Sequence, residues 1–273
     1  MIKSDCHMHT CFSADSEAPV TFMLDAAVEK GLEGVCITDH MDLDFPETPD
    51  FPANAFQFDL DEYFGQLNRL KEQYKGKLDL RIGVEIGLQK HLGEAYHRLT
   101  EAYPFDFVIG SVHLVGGQDP YYRKIFEGRT DEEVYRMAFR ETLENVEAVK
   151  DFDTLGHLDY VVRYGIHQAA EYSYRKFSDE IDAVLKKLIA EGKGLEMNLA
   201  GIKYGLGFPN PHPDVLKRYR ELGGEIITIG ADAHEPAHVA YEFEKATEIL
   251  RECGFSYYAE FHGRKPVFQR IVP

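Results

Sequence analysis

Cysteine and positive charge are scarce in this chain. The four cysteines among 273 residues fall in no CxxC pattern, which argues against a disulfide framework and against a zinc site built from thiolates. Lysine and arginine number 30 against 47 aspartates and glutamates, so the formal net charge is −17. Because no run of basic residues offsets this charge, the chain would repel a phosphate backbone, and nucleic acid is not an expected partner.

Long apolar runs and domain linkers are also absent from the sequence. No apolar segment approaches the roughly 20 residues that cross a bilayer, and the first residues lead into a polar motif without the apolar core of a signal peptide. We therefore expect a cytoplasmic protein without a membrane partner. No stretch rich in proline, glycine or serine divides the chain, and 44% apolar residues suffice for one core, so we expect one domain over residues 1–273. The oligomeric state is left open.

Short β-branched apolar segments alternate with stretches of helical spacing along the whole chain. The predicted strands are 2–7, 34–39, 80–85, 105–113, 154–157, 194–198 and 225–232. The predicted helices are 20–30, 60–74, 92–102, 131–149, 178–190, 213–222 and 240–253. Such alternation favours either a parallel β/α barrel or a doubly wound open sheet.

The positions of the polar residues separate these two folds. Nearly every residue that could bind a metal follows a predicted strand, and almost all the strands contribute one. The catalytic rim of a barrel has this arrangement, whereas an open sheet gathers its site at one switch point. The sequence therefore predicts an α/β fold, an irregular seven-stranded (β/α) barrel.

The most informative local motif is the run DCHMH, which holds His7 and His9. On a strand these two side chains share one face, and two imidazoles two residues apart indicate a metal site. Near the other end of the chain, Asp232 and His234 form a similar pair after the apolar run 226–229. Metal ligands are thus expected from both ends of one domain.

Nine nitrogen and oxygen ligands lie at the predicted strand ends or in the loop just after the first strand. They are His7, His9, Asp15, His40, Glu85, His113, His157, Asp232 and His234. One tetrahedral ion cannot use nine ligands, whereas two or three divalent ions with a bridging carboxylate would use them all. Imidazole and carboxylate without thiolate suit zinc, manganese or iron and do not choose among them.

Other polar residues near these strand ends have predicted supporting roles. Asp5 and Asp39 are expected to lie behind the ligands. Glu85 would be costly to bury unpaired, so a metal cation is its natural partner and a structural pair with Arg81 is the alternative. Arg163 lies in a loop that begins at the rim, where its guanidinium could grip a phosphate; a surface salt bridge is the alternative. Two further candidates for substrate binding, Asn198 and Lys203, follow the sixth strand.

This set of motifs resembles the PHP (polymerase and histidinol phosphatase) family, whose pattern of HxH, strand-end Glu and His and a late DxH covers most of the chain. The resemblance implies a distorted (β/α)7 barrel and a trinuclear metal centre. By the family pattern, one ion is held by His7, His9, Glu85 and Asp232, a second by Glu85, His113 and His157, and a third by Asp15, His40 and His234. Where relatives place a cationic residue soon after the sixth strand, the nearest positive charge here is Lys203.

Within this family, the length of the chain and the segments 111–113 and 156–160 with Arg163 are similar to the monofunctional histidinol-phosphate phosphatases. The resemblance implies a metal-dependent phosphomonoesterase that hydrolyses L-histidinol phosphate in histidine biosynthesis, by attack of a hydroxide that bridges two ions. Asp232 or His234 would relay a proton to the leaving oxygen, and Arg163 would neutralise a phosphoryl oxygen.

Three rival functions use some of the same features. A general or nucleotide-directed phosphoesterase could share the metal centre, but one acting on nucleotides would want a basic groove. A catalytically silent metal-binding module would not need all the ligands. An amidohydrolase-like barrel would usually want a strand-end lysine between its metals, and no predicted strand ends in one.

The segment 41–64 after the second strand is acidic and aromatic. On the catalytic rim it could form a lid, and carboxylates such as Asp42 and Asp44 would suit the ammonium and imidazole of histidinol phosphate. The alternative is a packing loop that shields the edge of the barrel.

Overall fold

A parallel sheet is the central element of the computed structural model, which describes residues 2–271. Its strands are β1 (Ser4–Asp5), β2 (Gly34–Ile37), β3 (His40–Met41), β4 (Asp79–Gly87), β5 (Phe107–Ser111), β6 (Thr154–Leu155), β7 (Gly194–Asn198) and β8 (Ile227–Gly230). The strands are joined in the order β1-β2-β4-β5-β6-β7-β8, and the short β3 pairs with Glu85 and Ile86 of β4.

The two edges of this sheet meet, which closes the barrel. The backbone N–H of Cys6 donates to the carbonyl of Ile229 at 2.9 Å, and that of Asp232 donates to the carbonyl of His7 at 2.9 Å. Further along, the N–H of His9 donates to the carbonyl of Ala233 at 2.8 Å. Seven strand positions around a closed parallel sheet confirm the predicted (β/α)7 barrel, and the two-residue ladders of β1 and β6 make it distorted.

Helices connect the strands. They are α1 (Val20–Glu29), α2 (Leu60–Gln73), α3 (Gly93–Ala102), α4 (Asp131–Ala148), α5 (Ser178–Ala190), α6 (Ala200–Lys203), α7 (Pro213–Glu221) and α8 (Phe243–Glu252). The short α6 was not predicted. The last helix begins later than predicted because Ala240 and Glu242 have φ angles of 52° and 57°, outside the helical region. No helix within residues 2–271 is long and apolar enough to cross a membrane.

Local capping explains why α4 begins where it does. The hydroxyl of Thr130 accepts a hydrogen bond from the backbone N–H of Glu133, and the carboxylate of Glu133 accepts one from the backbone N–H of Thr130. This capping box satisfies two donors that the first turn of a helix would otherwise leave unpaired. The start of α4, predicted at 131 after Thr130, is confirmed.

A C-terminal hairpin that the sequence did not predict covers one end of the barrel. Its strands are β9 (Tyr257–His262) and β10 (Lys265–Arg270). The ring of Phe261 stacks on Phe107 with centroids 4.9 Å apart, and the guanidinium of Arg264 donates to Asp153 at 2.6 Å. Since Phe107 begins β5 and Asp153 precedes β6, the hairpin lies at the amino ends of the strands, opposite the predicted site.

The hairpin also supplies the partner of a buried arginine. The side chain of Arg81 is 1% exposed, and its Nη1 lies 3.4 Å from Oε2 of Glu260 on β9. Its Nε lies 3.5 Å from Oδ2 of Asp79, and it contacts the hydroxyl of Ser4. Arg81 therefore pairs at the amino end of the barrel and leaves Glu85 to other partners, so the alternative pairing of Arg81 with Glu85 is wrong.

Replacing this partner should destabilise the fold. Glu260→Ala leaves a buried guanidinium beside only the half-exposed Asp79, and removing one member of a buried ion pair costs about 3–5 kcal/mol. We expect a loss near the lower end, about 3 kcal/mol, in the free energy of unfolding measured by urea denaturation. Glu248→Ala, at an exposed position of α8, is the control and should change it by less than about 0.5 kcal/mol. A loss equal to that of the control would show that the pair contributes nothing.

Candidate metal centre

The nine predicted ligands meet at the carboxyl end of the barrel. Within each of several groups, ligand atoms lie within 4.8 Å of one another: His7, His9 and Glu85; Glu85, His113 and His157; His9, His40 and His234; and His7, His157 and Asp232. The strands position these side chains because the carboxyl ends of parallel strands open onto one rim. The structure thus brings together residues that are up to 227 positions apart in the chain, from His7 to His234.

Glu85 lies at the middle of the cluster and is fully buried. Its two carboxylate oxygens face five imidazoles. Oε2 lies 3.2 Å from Nε2 of His7, 3.4 Å from Nε2 of His9 and 3.0 Å from Nδ1 of His40. Oε1 lies 2.9 Å from Nε2 of His157 and 3.3 Å from Nε2 of His113. A carboxylate in this position can be shared between ions, since each oxygen faces a different set of nitrogens.

Two further carboxylates complete the cluster on the side of β8. Oδ2 of Asp15 lies 3.6 Å from Nε2 of His40 and 3.3 Å from Nε2 of His234. Oδ1 of Asp232 lies 3.4 Å from Nε2 of His9 and 3.5 Å from Nδ1 of His234. Asp15 comes from the loop before α1, which reaches back to the rim as the sequence predicted.

The donor set fits divalent metal ions. Among residues 2–271, Oε2 of Glu85 and Nδ1 of His40 are buried without a hydrogen-bond partner, although they lie 3.0 Å apart. Leaving a buried carboxylate oxygen unpaired is costly. Two ligand atoms that share an ion at about 2.1 Å lie roughly 3.0–3.4 Å apart at tetrahedral or octahedral angles, which is the spacing found around Glu85.

Positive charge on neighbouring imidazoles holds Glu85 in its carboxylate form, and burial together with such charge keeps His9 neutral. Burial raises the pKa of Glu85, but the charges of His7, His113 and His40 outweigh it and hold that pKa well below its usual value. Burial, followed by the charges of His234 and His40, holds the pKa of His9 well below its usual value. A deprotonated carboxylate and a neutral imidazole are the forms that bind a metal.

A second layer of carboxylates, which the sequence reasoning missed, holds the imidazoles. Oε1 of Glu196 on β7 lies 2.5 Å from Nδ1 of His7, and its Oε2 accepts the backbone N–H of His157 at 2.9 Å. Oδ2 of Asp42 lies 2.6 Å from Nδ1 of His113. Such carboxylate–imidazole pairs fix the ring orientation of metal-binding histidines. The available signal was a glutamate between the apolar residues Leu195 and Met197 of strand β7, where burial demands a partner.

The two aspartates predicted to lie behind the ligands do so. Oδ1 of Asp39 accepts a hydrogen bond from the hydroxyl of Ser13 at 2.7 Å, and the same hydroxyl lies 3.0 Å from Nδ1 of His9. Asp5 accepts the backbone N–H groups of Ala231 at 3.0 Å and of Ala240 at 2.9 Å. Burial, which outweighs these bonds, raises the pKa of Asp5 to about 6. Both aspartates therefore fix backbone and side chains around the cluster.

A cavity of about 620 Å³ opens above the cluster. Arg163 lines it, as the predicted phosphate contact requires, and so do the side chains of Glu85, Asp232 and His234. Tyr204, which the sequence analysis did not single out, lines it as well.

The other two predicted substrate contacts do not reach the wall of this cavity. Asn198 is fully buried, and its amide donates to Glu196 at 3.2 Å and to Asp232 at 3.3 Å. Nζ of Lys203 donates to the backbone carbonyl of Asp232 at 3.1 Å. Both side chains lie behind Asp232, because the end of β7 is adjacent to the end of β8, and their role as substrate contacts stays a prediction.

The segment 41–64 supplies much of the opposite wall. Its residues at the cavity are Asp42, Phe45, Asp50, Phe51 and Phe56, and the loop between β5 and α4 adds Asp119, Tyr121, Tyr122 and Arg123. The two loops join where the hydroxyl of Tyr122 donates to Oδ2 of Asp50 at 2.9 Å. Asp44 faces away, with its Oδ2 3.1 Å from Nε2 of His91. The cavity is therefore acidic and aromatic on this side.

Comparison with known proteins gives matches over nearly the whole chain. The PHP domain family matches residues 5–200. A probable histidinol-phosphatase of Clostridium acetobutylicum is 33% identical over 264 residues, 97% of this chain and 95% of that protein. A histidinol-phosphatase of Lactococcus lactis is 33% identical over 276 residues, 97% of this chain and 96% of that protein.

Among solved structures, one phosphatase is similar over nearly its full length. The crystal structure of histidinol phosphate phosphatase from Lactococcus lactis, complexed with zinc, L-histidinol and phosphate, has a TM-score of 0.87 and 32% sequence identity to this chain. The match covers 97% of this chain and 98% of that one.

The second layer can be tested on its own. Glu196→Gln keeps the size of the side chain but removes the charge that orients His7, and losing such a partner typically weakens metal affinity 10- to 100-fold. We expect a fall of about that size in zinc affinity, measured by competition with a chromophoric chelator. Glu180→Gln, which alters a carboxylate that pairs with Arg136 on the helices, should leave zinc affinity unchanged. Wild-type affinity in Glu196→Gln would show that the carboxylate does not support the site.

Proposed function

This chain belongs to the PHP domain family, and from that premise we propose that it hydrolyses L-histidinol phosphate to L-histidinol and inorganic phosphate, in histidine biosynthesis. The observation that carries the proposal is the cavity, which joins a cluster of nine potential metal ligands to an unpaired arginine and to an acidic, aromatic wall. The Lactococcus lactis phosphatase, which is similar over nearly the whole chain, was crystallised with zinc, L-histidinol and phosphate.

We assign the cluster to three divalent metal ions. His7, His9, Glu85 and Asp232 would hold one ion, Glu85, His113 and His157 a second, and Asp15, His40 and His234 a third. Bound there, the ions would offset the phosphoryl charge and lower the pKa of water so that hydroxide is available as the nucleophile near neutral pH. The side chains around the ions would bind the ester and move the protons.

The phosphoryl group would lie between the cluster and Arg163. The guanidinium of Arg163 lines the cavity, and its buried Nε and Nη2 have no hydrogen-bond partner among residues 2–271. A guanidinium can donate two parallel hydrogen bonds to a phosphoryl group and spread its negative charge. In this arrangement Arg163 binds and orients the ester.

The leaving alkoxide needs a proton, which the attacking water gives up when it forms the hydroxide, and Asp232 or His234 would relay it. Nδ1 of His234 lies 3.5 Å from Oδ1 of Asp232, and the side chain of His234 is 23% exposed against 10% for Asp232. Both line the cavity. A positioned proton donor of this kind contributes about 10²- to 10⁴-fold in rate.

The wall formed by the segment 41–64 and the loop after β5 would receive the rest of the substrate. L-Histidinol phosphate carries an ammonium and an imidazole, which carboxylates and aromatic faces bind favourably. Burial raises the pKa of Asp119 in this wall, and a cationic group placed beside it would stabilise its carboxylate form. The same acidic wall disfavours a nucleotide.

The direct test is phosphate release by metal-reconstituted protein. L-Histidinol phosphate is compared with a nucleoside monophosphate and an aryl phosphate, and a chelated sample is the control. We expect a strong preference for L-histidinol phosphate that chelation abolishes. Equal rates on the three esters would reduce the function to a general phosphoesterase, and no release from any of them would favour a catalytically silent module.

Removing the guanidinium should weaken substrate binding without loss of metal. For Arg163→Ala we expect KM for L-histidinol phosphate to rise at least about 10-fold, since a hydrogen bond to a charged group contributes about 1.5–3 kcal/mol. Metal content, measured by elemental analysis, should stay at the wild-type value. Arg163→Lys keeps the charge but loses the bidentate geometry and should lie in between. A normal KM in Arg163→Ala would remove this residue from the site.

The acidic wall should determine selectivity. Asp119→Asn keeps the shape of the side chain and its ability to accept the backbone N–H of Tyr121, but removes a charge from the cavity. We expect kcat/KM to fall about 5- to 10-fold for L-histidinol phosphate, the loss of roughly 1 kcal/mol of ion pairing, and to stay the same for the aryl phosphate. Asp44→Asn, outside the cavity, is the matched control. An equal effect on both esters would argue against recognition of a cationic leaving group.

A further inference from the structure

We propose that Tyr204 is a positioning residue for phosphate binding: its ring holds the guanidinium of Arg163 over the cavity. This inference rests on the proposed function, because it takes Arg163 as the contact to the phosphoryl group. It adds a residue from a second segment, the end of α6, to the anion-binding side of the cavity.

The environment of Arg163, a half-buried residue whose Nε and Nη2 are buried, is unusual for a cation. Aromatic rings surround the guanidinium: Cζ lies 4.2 Å from the ring centroid of Tyr204, 5.0 Å from that of Tyr160 and 5.9 Å from that of Tyr164. The buried Nε and Nη2 are without a hydrogen-bond partner in the part of the chain that the structure describes. Ring faces attract a cation but leave its N–H groups free, so this guanidinium is held while its donors stay available to an anion.

Tyr204 differs from the other two rings in its origin. Tyr160 and Tyr164 lie in the same turn as Arg163, the segment Tyr160–Tyr164, and their hydroxyls are joined at 2.8 Å. Tyr204 follows α6 and approaches the guanidinium from outside that turn. Because neighbours in one short turn move together, the ring from another element is the contact that can fix Arg163 relative to the barrel.

The position of Tyr204 is itself fixed to the metal-ligand side of the site. Its backbone N–H donates to the carbonyl of Ala200 at 2.9 Å. Nζ of Lys203 lies 4.8 Å from its ring centroid and donates to the carbonyl of Asp232 at 3.1 Å. The ring therefore contacts two cations, Arg163 and Lys203, and a phosphoryl anion beside it would reduce their mutual repulsion.

The exposure of Tyr204 makes a clean test possible. Its side chain is 51% exposed, so its replacement removes little buried apolar surface. The variants are Tyr204→Leu, which removes the ring, and Tyr204→Phe, which keeps the ring face. Tyr257→Leu alters a tyrosine that is 49% exposed on β9, at the opposite end of the barrel, and serves as the matched control.

The first readout is binding of inorganic phosphate to the metal-reconstituted protein, measured by calorimetry. We expect Kd for phosphate to rise about 3- to 30-fold in Tyr204→Leu, the range that a cation–π contact represents, and to stay near wild type in the other two variants. Kd for L-histidinol and the metal content should not change. Unchanged phosphate binding in Tyr204→Leu, or an equal loss of L-histidinol binding, would overturn the proposal.

A double-mutant cycle with Arg163→Ala decides whether Tyr204 acts through Arg163. If it does, adding Tyr204→Leu to Arg163→Ala should change phosphate affinity by less than about 2-fold. Losses that multiply would show independent action and overturn the proposal. Since calorimetry with phosphate does not depend on which ester is hydrolysed, a failure of the proposed substrate and a failure of this inference remain distinguishable.

Discussion

The rest of the site depends on one buried carboxylate. Glu85 has no exposure to water, and its two oxygens lie within 3.4 Å of five imidazole nitrogens. A carboxylate in such a place is stable only with positive charge beside it, and the imidazoles alone would have to carry that charge as bound protons. Divalent ions shared between the carboxylate and neutral imidazoles satisfy the same requirement and leave the histidines in their ligating form.

The closure of the barrel makes this arrangement possible. Glu85 lies in β4, across the barrel from the seam where the segment 6–9 pairs with residues 229–233. That seam carries three of the nine potential ligands, His7, His9 and Asp232, so a sheet left open there would hold only part of the cluster. The support beneath the rim comes from neighbouring strands: Glu196 of β7 holds His7, and Asn198 of the same strand contacts Asp232. Charged groups also close the amino end, where the C-terminal hairpin pairs Glu260 with Arg81.

The cavity above the cluster has two unlike sides, and their difference suggests how an ester would lie in it. On one side Arg163 is held by aromatic rings, which leave its N–H groups free for a phosphoryl group. On the other side are mainly carboxylates and aromatic rings from the segment 41–64 and the loop after β5, with Arg123 as a cation among them. A molecule with a dianionic end and a cationic, aromatic end matches both sides, whereas a nucleotide or a neutral ester matches only the first. Some of the acidic residues of this chain thus lie in the wall where the leaving group would bind.

The sequence by itself determined the order of the main barrel strands and of the helices between them, the barrel, and the nine residues that the rim brings together. It could do so because periodicity is a local signal, and because the parallel strands of a barrel deliver their carboxyl ends to one rim. The sequence also placed Asp5 and Asp39 behind the ligands, but only the tertiary structure showed that Glu196 and Asp42 stand there as well. Glu196 and Asp42 gave no motif, since a partner in the second layer is set by packing across strands and not by spacing along one. Packing across strands also places Lys203 and Asn198 behind Asp232, although their positions after the sixth strand predicted contacts with the substrate. It likewise brings Tyr204 to Arg163, from a segment about 40 residues away along the chain. The separation of two residues along the sequence carries no information on such contacts, because they form only when separate elements pack together.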